Sequence, residues 1–141
     1  MQEFRPMETE PEGHQGRLAA ISREVVGLLK NLVGRGPTKS KVYLHDDCVV
    51  LLLREGHTRG EETMYEAGAG RAVAQGRVDI SETIRGPLIE VIERHTGREV
   101  VGFMSSSQQE PDLLAFTFVL DTSPLLEVVD GGGESSGESS D

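Results

Sequence analysis

The apolar and polar positions of the first third of the chain follow a helical period. Between residues 16 and 33, apolar side chains recur at three- and four-residue spacing and charged side chains occupy the opposite side. This pattern predicts an amphipathic helix. Gly34 and Gly36 can end the helix in the left-handed conformation that residues with a Cβ avoid, and Pro37 prevents it from resuming.

The next stretch changes to a period of two and predicts a β-hairpin. Residues 41–45 alternate as in a half-buried strand, and Asp46 and Asp47 suit a tight turn. The return strand, residues 48–54, contains the densest apolar run in the chain, residues 48–53, and is apolar on both of its faces. We therefore expect it at the centre of a sheet, with a cover on its second face.

A second helical region follows the hairpin. Thr58 and Glu61 have the spacing of a capping box, which predicts a helix start. The helical pattern then runs from Glu61 to Thr96, interrupted by Gly86-Pro87. Proline disfavours an interior helix position, so two interpretations are open: one bent helix, or two helices of which the second spans Ile80–His95.

Two more strands complete the pattern, at residues 99–106 and 113–121. The order helix–hairpin–helix–hairpin predicts an α+β fold: a two-layer sandwich with a four-stranded antiparallel sheet and helices on one face. A shift of 63 residues aligns the first helix with the last, including Gly34-Arg35 with Gly97-Arg98. This correspondence is expected of any two amphipathic helices that end in glycine, or it reflects one αββ unit used twice.

Charge and composition place the ends of the chain outside the domain. The net charge is -10, yet most of it lies in the two termini and the remainder is close to neutral. We predict a disordered acidic segment at residues 1–15, a single domain at 16–122 and a flexible acidic Gly/Ser tail at 123–141. A near-neutral domain offers no broad basic surface, so nucleic acid is not expected as a partner.

The residues that carry chemistry form no recognisable catalytic or metal-binding pattern. The single cysteine excludes an internal disulfide, and the four histidines lack ligand spacing. We therefore predict no enzyme activity, no metal and no cofactor. The longest apolar run is far short of a bilayer span, and the N-terminus has no secretory signal pattern, so we expect a cytoplasmic protein that does not insert into a membrane.

The loop after the first helix is the candidate anion-binding or partner-binding segment. Its order, a helix before the glycines and a strand after them, is the reverse of a phosphate-binding loop, so nucleotide binding is not predicted. Two readings are open: a small-anion or nucleic-acid site, or a helix end with solvated basic residues. The residues concerned are Arg35, Gly36, Pro37, Thr38, Lys39 and Lys41.

A candidate dimer face follows from the expected cover on the sheet. We predict that one set of strand residues points away from the helices: Val49, Leu51, Leu53, Ala115, Thr117 and Val119. Such a patch is larger than monomers usually expose, and a two-fold homodimer would bury it. The alternative is that residues 125–129 fold back over this face.

Several short segments resemble the MpsC-like family, a domain of unknown function named for a component of a Na⁺-translocating, membrane-potential-generating system. They are residues 21–26 (ISREVV), 34–42 (GRGPTKSKV), 66–71 (EAGAGR) and 96–101 (TGREVV). The resemblance implies an association with cation or inorganic-carbon transport and, through it, a membrane transport complex as partner. It implies no catalytic residues. We accordingly expect an accessory or regulatory protein that acts by protein interaction.

Overall fold

The computed structural model describes residues 9–34 and 36–121, and the predicted tail at 123–141 lies outside these residues. The described chain forms a mixed α+β sandwich, in which helices pack on one face of a four-stranded antiparallel sheet, as predicted. The elements in chain order are α1 (Thr9–Val33), β1 (Lys39–His45), β2 (Cys48–Arg54), α2 (Arg59–Glu66), α3 (Gly70–Thr83), α4 (Arg85–Thr96), β3 (Val100–Gln108) and β4 (Leu113–Leu120).

Helix α1 begins earlier than the sequence pattern predicts. It is already helical at Thr9 rather than at residue 16. Pro11 falls in the first turn, where its missing N–H would have no intrahelical acceptor in any case. The helix ends as predicted, at Gly34 with φ +100°, and the N–H of Gly34 donates to the carbonyls of Leu29 and Lys30 at 3.2 Å.

The middle of the chain contains three helices rather than one or two. The capping box at the start of α2 is present: Thr58 and Glu61 exchange side-chain to backbone hydrogen bonds. Gly68, with φ +85°, separates α2 from α3, and Ile84 separates α3 from α4. Pro87 is the third residue of α4, where a backbone N–H has no intrahelical acceptor, so a proline is tolerated. The break between the helices lies at Ile84, before the proline.

The sheet has the strand order β1-β2-β4-β3, so the predicted central position of β2 is confirmed. Two hairpins meet through the antiparallel pair β2–β4. Exchanging the unit α1-β1-β2 with the unit α4-β3-β4 leaves the strand order unchanged. The first helix of each unit, α1 or α4, is followed by a glycine with a positive φ, Gly34 or Gly97. The arrangement is the one that an αββ unit used twice would produce.

The core lies between the helices and one face of the sheet. In the register of β2 and β4, Val49 lies opposite Phe118, Leu51 opposite Phe116 and Leu53 opposite Leu114. The residues of the sheet that are fully buried pack with apolar side chains of α1 and α4. These helix residues are Ile21, Val25, Leu29, Leu88, Val91 and Ile92.

The predicted dimer face is therefore wrong in β2. Val49, Leu51 and Leu53 are buried in the core, with at most 2% of their surface exposed, and cannot meet a partner. Because β2 is apolar on both faces, its own pattern does not show which face the helices cover. Thr117 and Val119 of β4 do lie on the face away from the helices, opposite Val50 and Cys48.

Candidate functional site

The face of the sheet turned away from the helices is the first candidate site, and we call it the open face. Tyr43 and Met104 are 49% and 57% exposed, and Val50 and Leu52 are half-buried, so no helix of residues 9–34 and 36–121 packs on it. Its strand positions are Lys39, Lys41, Tyr43, His45, Cys48, Val50, Leu52, Arg54, Gly102, Met104, Ser106, Gln108, Leu113, Ala115, Thr117 and Val119.

The charge of the open face is opposite to that of the chain. None of the four strands contains Asp or Glu, and their three Lys and Arg residues, Lys39, Lys41 and Arg54, all lie on this face. Lys39 pairs with Arg54 across β1 and β2, and the Lys41 ammonium lies 5.6 Å from the centre of the Tyr43 ring. The open face is thus apolar in its middle and cationic at one end.

The described residues of the predicted binding loop are divided between two environments. Gly36 and Pro37 are half-buried, Thr38 donates its hydroxyl to the Glu55 carboxylate, and Arg35 lies outside the described residues. A carboxylate beside Thr38 opposes an anion there. Lys39 and Lys41 instead belong to the open face, so the structure brings them together with Arg54 rather than with the rest of the loop.

A buried polar cluster at the end of the sheet is the second candidate site. His57, between β2 and α2, is 5% exposed; its backbone N–H and its Nδ1 each lie 2.8 Å from Oδ2 of Asp112, which precedes β4. Nδ1 carries the proton that it donates to this carboxylate, so Nε2 accepts the Tyr65 hydroxyl, 3.1 Å away. Asp112, His57 and Tyr65 form one hydrogen-bonded chain.

Arg77 of α3 joins this cluster from the other side. Its side chain is 8% exposed and donates twice to Glu61 of the capping box, at 3.2 and 3.4 Å. Its Nη1 lies 3.8 Å from Oδ1 of Asp112, and neither atom has a hydrogen-bond partner. The five residues therefore connect the β2–α2 loop, α2, α3 and the turn before β4.

Burial controls the protonation of this cluster. Burial lowers the pKa of His57 below its ordinary value, and the Arg77 guanidinium lowers it further. Burial would raise the pKa of Glu61, but hydrogen bonds from Arg77 and from the Thr58 N–H hold this pKa below its ordinary range. Burial also raises the pKa of the Tyr65 hydroxyl. The imidazole is accordingly neutral and the phenol protonated at neutral pH.

The electrostatics around Tyr65 oppose the formation of a phenolate. A carboxylate, an imidazole and a hydroxyl in a row can activate a nucleophile, but only where the resulting anion is stabilised. The 450 Å³ cleft beside Tyr65 is bordered by Glu55, Glu62, Glu66 and Glu110. These carboxylates disfavour a phenolate. A second cavity, lined by Arg77, Glu61, Ser81 and mostly apolar residues, measures 50 Å³, which is room for only a few waters.

Sequence reasoning did not find the cluster because its members are far apart along the chain. His57 and Asp112 are separated by 55 residues. One signal was available: Arg77 occupies a position of α3 that is buried in line with Val73 and Ser81, where a helix facing a core normally carries apolar side chains. A charged residue in such a stripe indicates a buried partner.

The described residues contain no group of three or more His, Cys, Asp or Glu side chains that could hold a metal ion. In the same part of the chain, no helix combines the length and the apolar character needed to cross a bilayer.

The fold and the two sites define a small α+β sandwich with a sheet face that no helix of the described residues covers and a polar cluster that joins its elements. The chain belongs to the family described as Na⁺-translocating membrane potential-generating system (MpsC), whose model matches residues 15–122. This confirms the resemblance that the sequence segments indicated. Comparison with curated proteins and with solved structures returned no match.

Proposed function

We propose that this protein is a cytoplasmic accessory or regulatory component of an ion-translocating membrane system, and that it acts by binding a partner protein rather than by catalysis. The family's description supports the association with ion transport. The open face is the observation that supports a binding role. Apolar side chains in the middle of a sheet, exposed to water and bordered by cations, favour a partner that is apolar and acidic.

The contribution of each part of the open face follows from its chemistry. Val50, Leu52 and Val119 supply apolar area, which gives affinity when it leaves water. Lys39, Lys41 and Arg54 supply orientation and a faster encounter with an acidic surface. A sheet face also offers a rigid surface, because its backbone is already ordered by hydrogen bonds on both sides of β2 and β4.

Crosslinking from a defined position tests the proposal. A photoreactive amino acid at position 52, on the open face, is compared with the same amino acid at position 78, which is an exposed position of α3. We expect position 52 to crosslink, in the native cell, to a protein identified as a subunit of a membrane transport system. Leu52→Glu should abolish co-purification of that protein and Val78→Glu should retain it. Equal crosslinking or equal retention at both positions would contradict the proposal.

A second candidate function, small-anion or nucleic-acid binding, is favoured by the grouping of Lys39, Lys41 and Arg54 without a strand carboxylate. It is tested by measuring binding of phosphate, bicarbonate and an oligonucleotide at increasing salt concentration. Binding that weakens with salt and is lost in Lys39→Ala with Lys41→Ala would support it. Arg35→Ala with Lys39→Ala separates the contribution of the loop from that of the open face.

A further inference from the structure

We propose that the open face is covered by the segment that follows β4, residues 122–130 of the same chain, and that a partner must displace this segment. The proposal concerns the regulation of the docking surface described above and rests on its being one. Residues 122–130 lie outside the described residues; the open face, the point where the chain leaves the sheet and the sequence of the segment support the proposal.

The exit point of the chain is held at one end of the open face. The N–H of Asp121 donates to the Glu99 carbonyl at 2.8 Å, and the Asp121 carbonyl accepts two hydrogen bonds from the Arg98 guanidinium. Arg98 also donates to the Asp46 carbonyl in the turn between β1 and β2. The segment therefore starts beside the row formed by Cys48 and Val119, because Asp121, the residue before it, is tied to the residues just before β3 by its own hydrogen bonds and to the β1–β2 turn through Arg98.

The segment is long enough to cross the face. Nine extended residues span up to about 30 Å. Lys41 lies in the row of Leu52 and Ala115, which is six residues along β4 from Asp121, or about 20 Å. The lateral distance from β4 to β1 is two strand spacings, about 10 Å. Residues 125–130 can thus reach both the apolar middle and the cationic end.

The composition of the segment matches the face. Its sequence, TSPLLEVVD, contains four large apolar residues, two carboxylates and no base. If residues 125–130 are extended, side chains alternate between two sides. One side then carries Leu125, Glu127 and Val129, and the other carries Leu126, Val128 and Asp130. Either side presents two apolar groups and one acid, which is the complement of an apolar face with cations and no strand carboxylate.

A second copy of the chain fits this face less well. Two open faces packed together would bring two sets of Lys39, Lys41 and Arg54 into one interface, and none of the strands supplies a carboxylate to pair with them. Cations that lose water without a partner oppose association. The C-terminal segment supplies the missing carboxylates from within the chain.

A thiol-accessibility measurement tests the cover without any external partner. In a Cys48→Ala background, Thr117→Cys places a single thiol in the middle of the open face. Its modification rate is compared in the full chain, in a chain ending at Asp121 and in a chain ending at Asp130. We expect the full chain and the chain ending at Asp130 to react alike, and the chain ending at Asp121 to react about tenfold faster, as for a site covered nine-tenths of the time.

A charge reversal in the full chain provides the matched control. Glu127→Lys with Asp130→Lys should release the thiol, whereas Glu134→Lys with Glu138→Lys should leave it protected. Equal rates in the three chain lengths would overturn the proposal, as would protection that survives the reversal at 127 and 130. Sedimentation of a dimer whose Thr117→Cys thiol stays protected after truncation at Asp121 would assign the cover to a second copy. None of these results depends on whether an external partner binds, so the proposed function is tested separately.

Discussion

Two adjacent leucines of β2 provide the sharpest test of the fold, because they lie on opposite faces of the sheet. Leu51 is fully buried beneath the helices and opposite Phe116, whereas Leu52 is half-buried on the open face and opposite Ala115. Leu51→Ala and Leu52→Ala remove the same atoms from neighbouring positions of one strand. Any difference between the two variants therefore measures the environment rather than the chemistry of the substitution.

The two substitutions should lower the free energy of unfolding by amounts that differ severalfold. Leu51→Ala loses the transfer free energy of a buried side chain and leaves a cavity in the core, which together cost about 3 kcal/mol. Leu52→Ala leaves no enclosed cavity and loses part of the transfer free energy only, at about 0.8 kcal/mol per buried CH₂, for a total of about 1 kcal/mol. At roughly 4 °C per kcal/mol, the melting temperature should fall by about 12 °C for Leu51→Ala and about 4 °C for Leu52→Ala.

Urea unfolding followed by circular dichroism measures both free energies, and an unchanged m value shows that the unfolded states are comparable. Val49→Ala and Val50→Ala repeat the comparison one row away and serve as the control for strand propensity. Equal losses at positions 51 and 52 would refute the face assignment. A loss at Leu52 that shrinks when the chain ends at Asp121 would instead report contact with the C-terminal segment.

Three further predictions concern the helices and the polar cluster. Thr58→Ala should lower the free energy of unfolding, measured in urea, by about 1 kcal/mol, because the N–H of Glu61 loses its acceptor. Thr63→Ala, on the exposed side of α2, is the control, and an equal loss in both variants would refute the cap. Arg77→Met should lower the free energy of unfolding by about 3 kcal/mol, because Glu61 and Asp112 are left facing each other in a poorly solvated site. A loss no larger than that of Arg71→Met, at an exposed position, would contradict the buried ion pair. Stability should also fall in acid: the folded-state pKa values of His57 and Glu61 lie below their ordinary 6.5 and 4.5, so the unfolded chain binds more protons. Urea titrations from pH 8 to pH 4 should show the highest free energy of unfolding above pH 6.5 and a progressive loss below it, and His57→Gln should remove the part that begins near pH 6.5.

The cluster was outside the reach of sequence reasoning for a physical reason. A hydrogen bond such as that between His57 and Asp112 depends on where two distant segments meet, and neither residue has a local pattern that differs from a surface residue of its type. Arg77 differs in this respect, since its helical position lies in line with Val73 and Ser81, the other buried positions of α3. The position of a charge relative to a helical period is local information, whereas the identity of its partner is not.

The sequence by itself determined the helical segments that end at Gly34 and Gly97, the capping box of Thr58, the hairpin through Asp46 and the α+β class, because each depends on backbone preferences within a few residues. Only the tertiary structure decided which face of β2 is buried. In a strand that alternates between apolar and polar residues, the pattern shows which face is buried. Val49–Leu53 is apolar at every position, so either face can meet the helices. The choice is made by the pairing with β4, where Phe116 and Phe118 need the space beneath α1 and α4 and align Leu51 and Val49 with them.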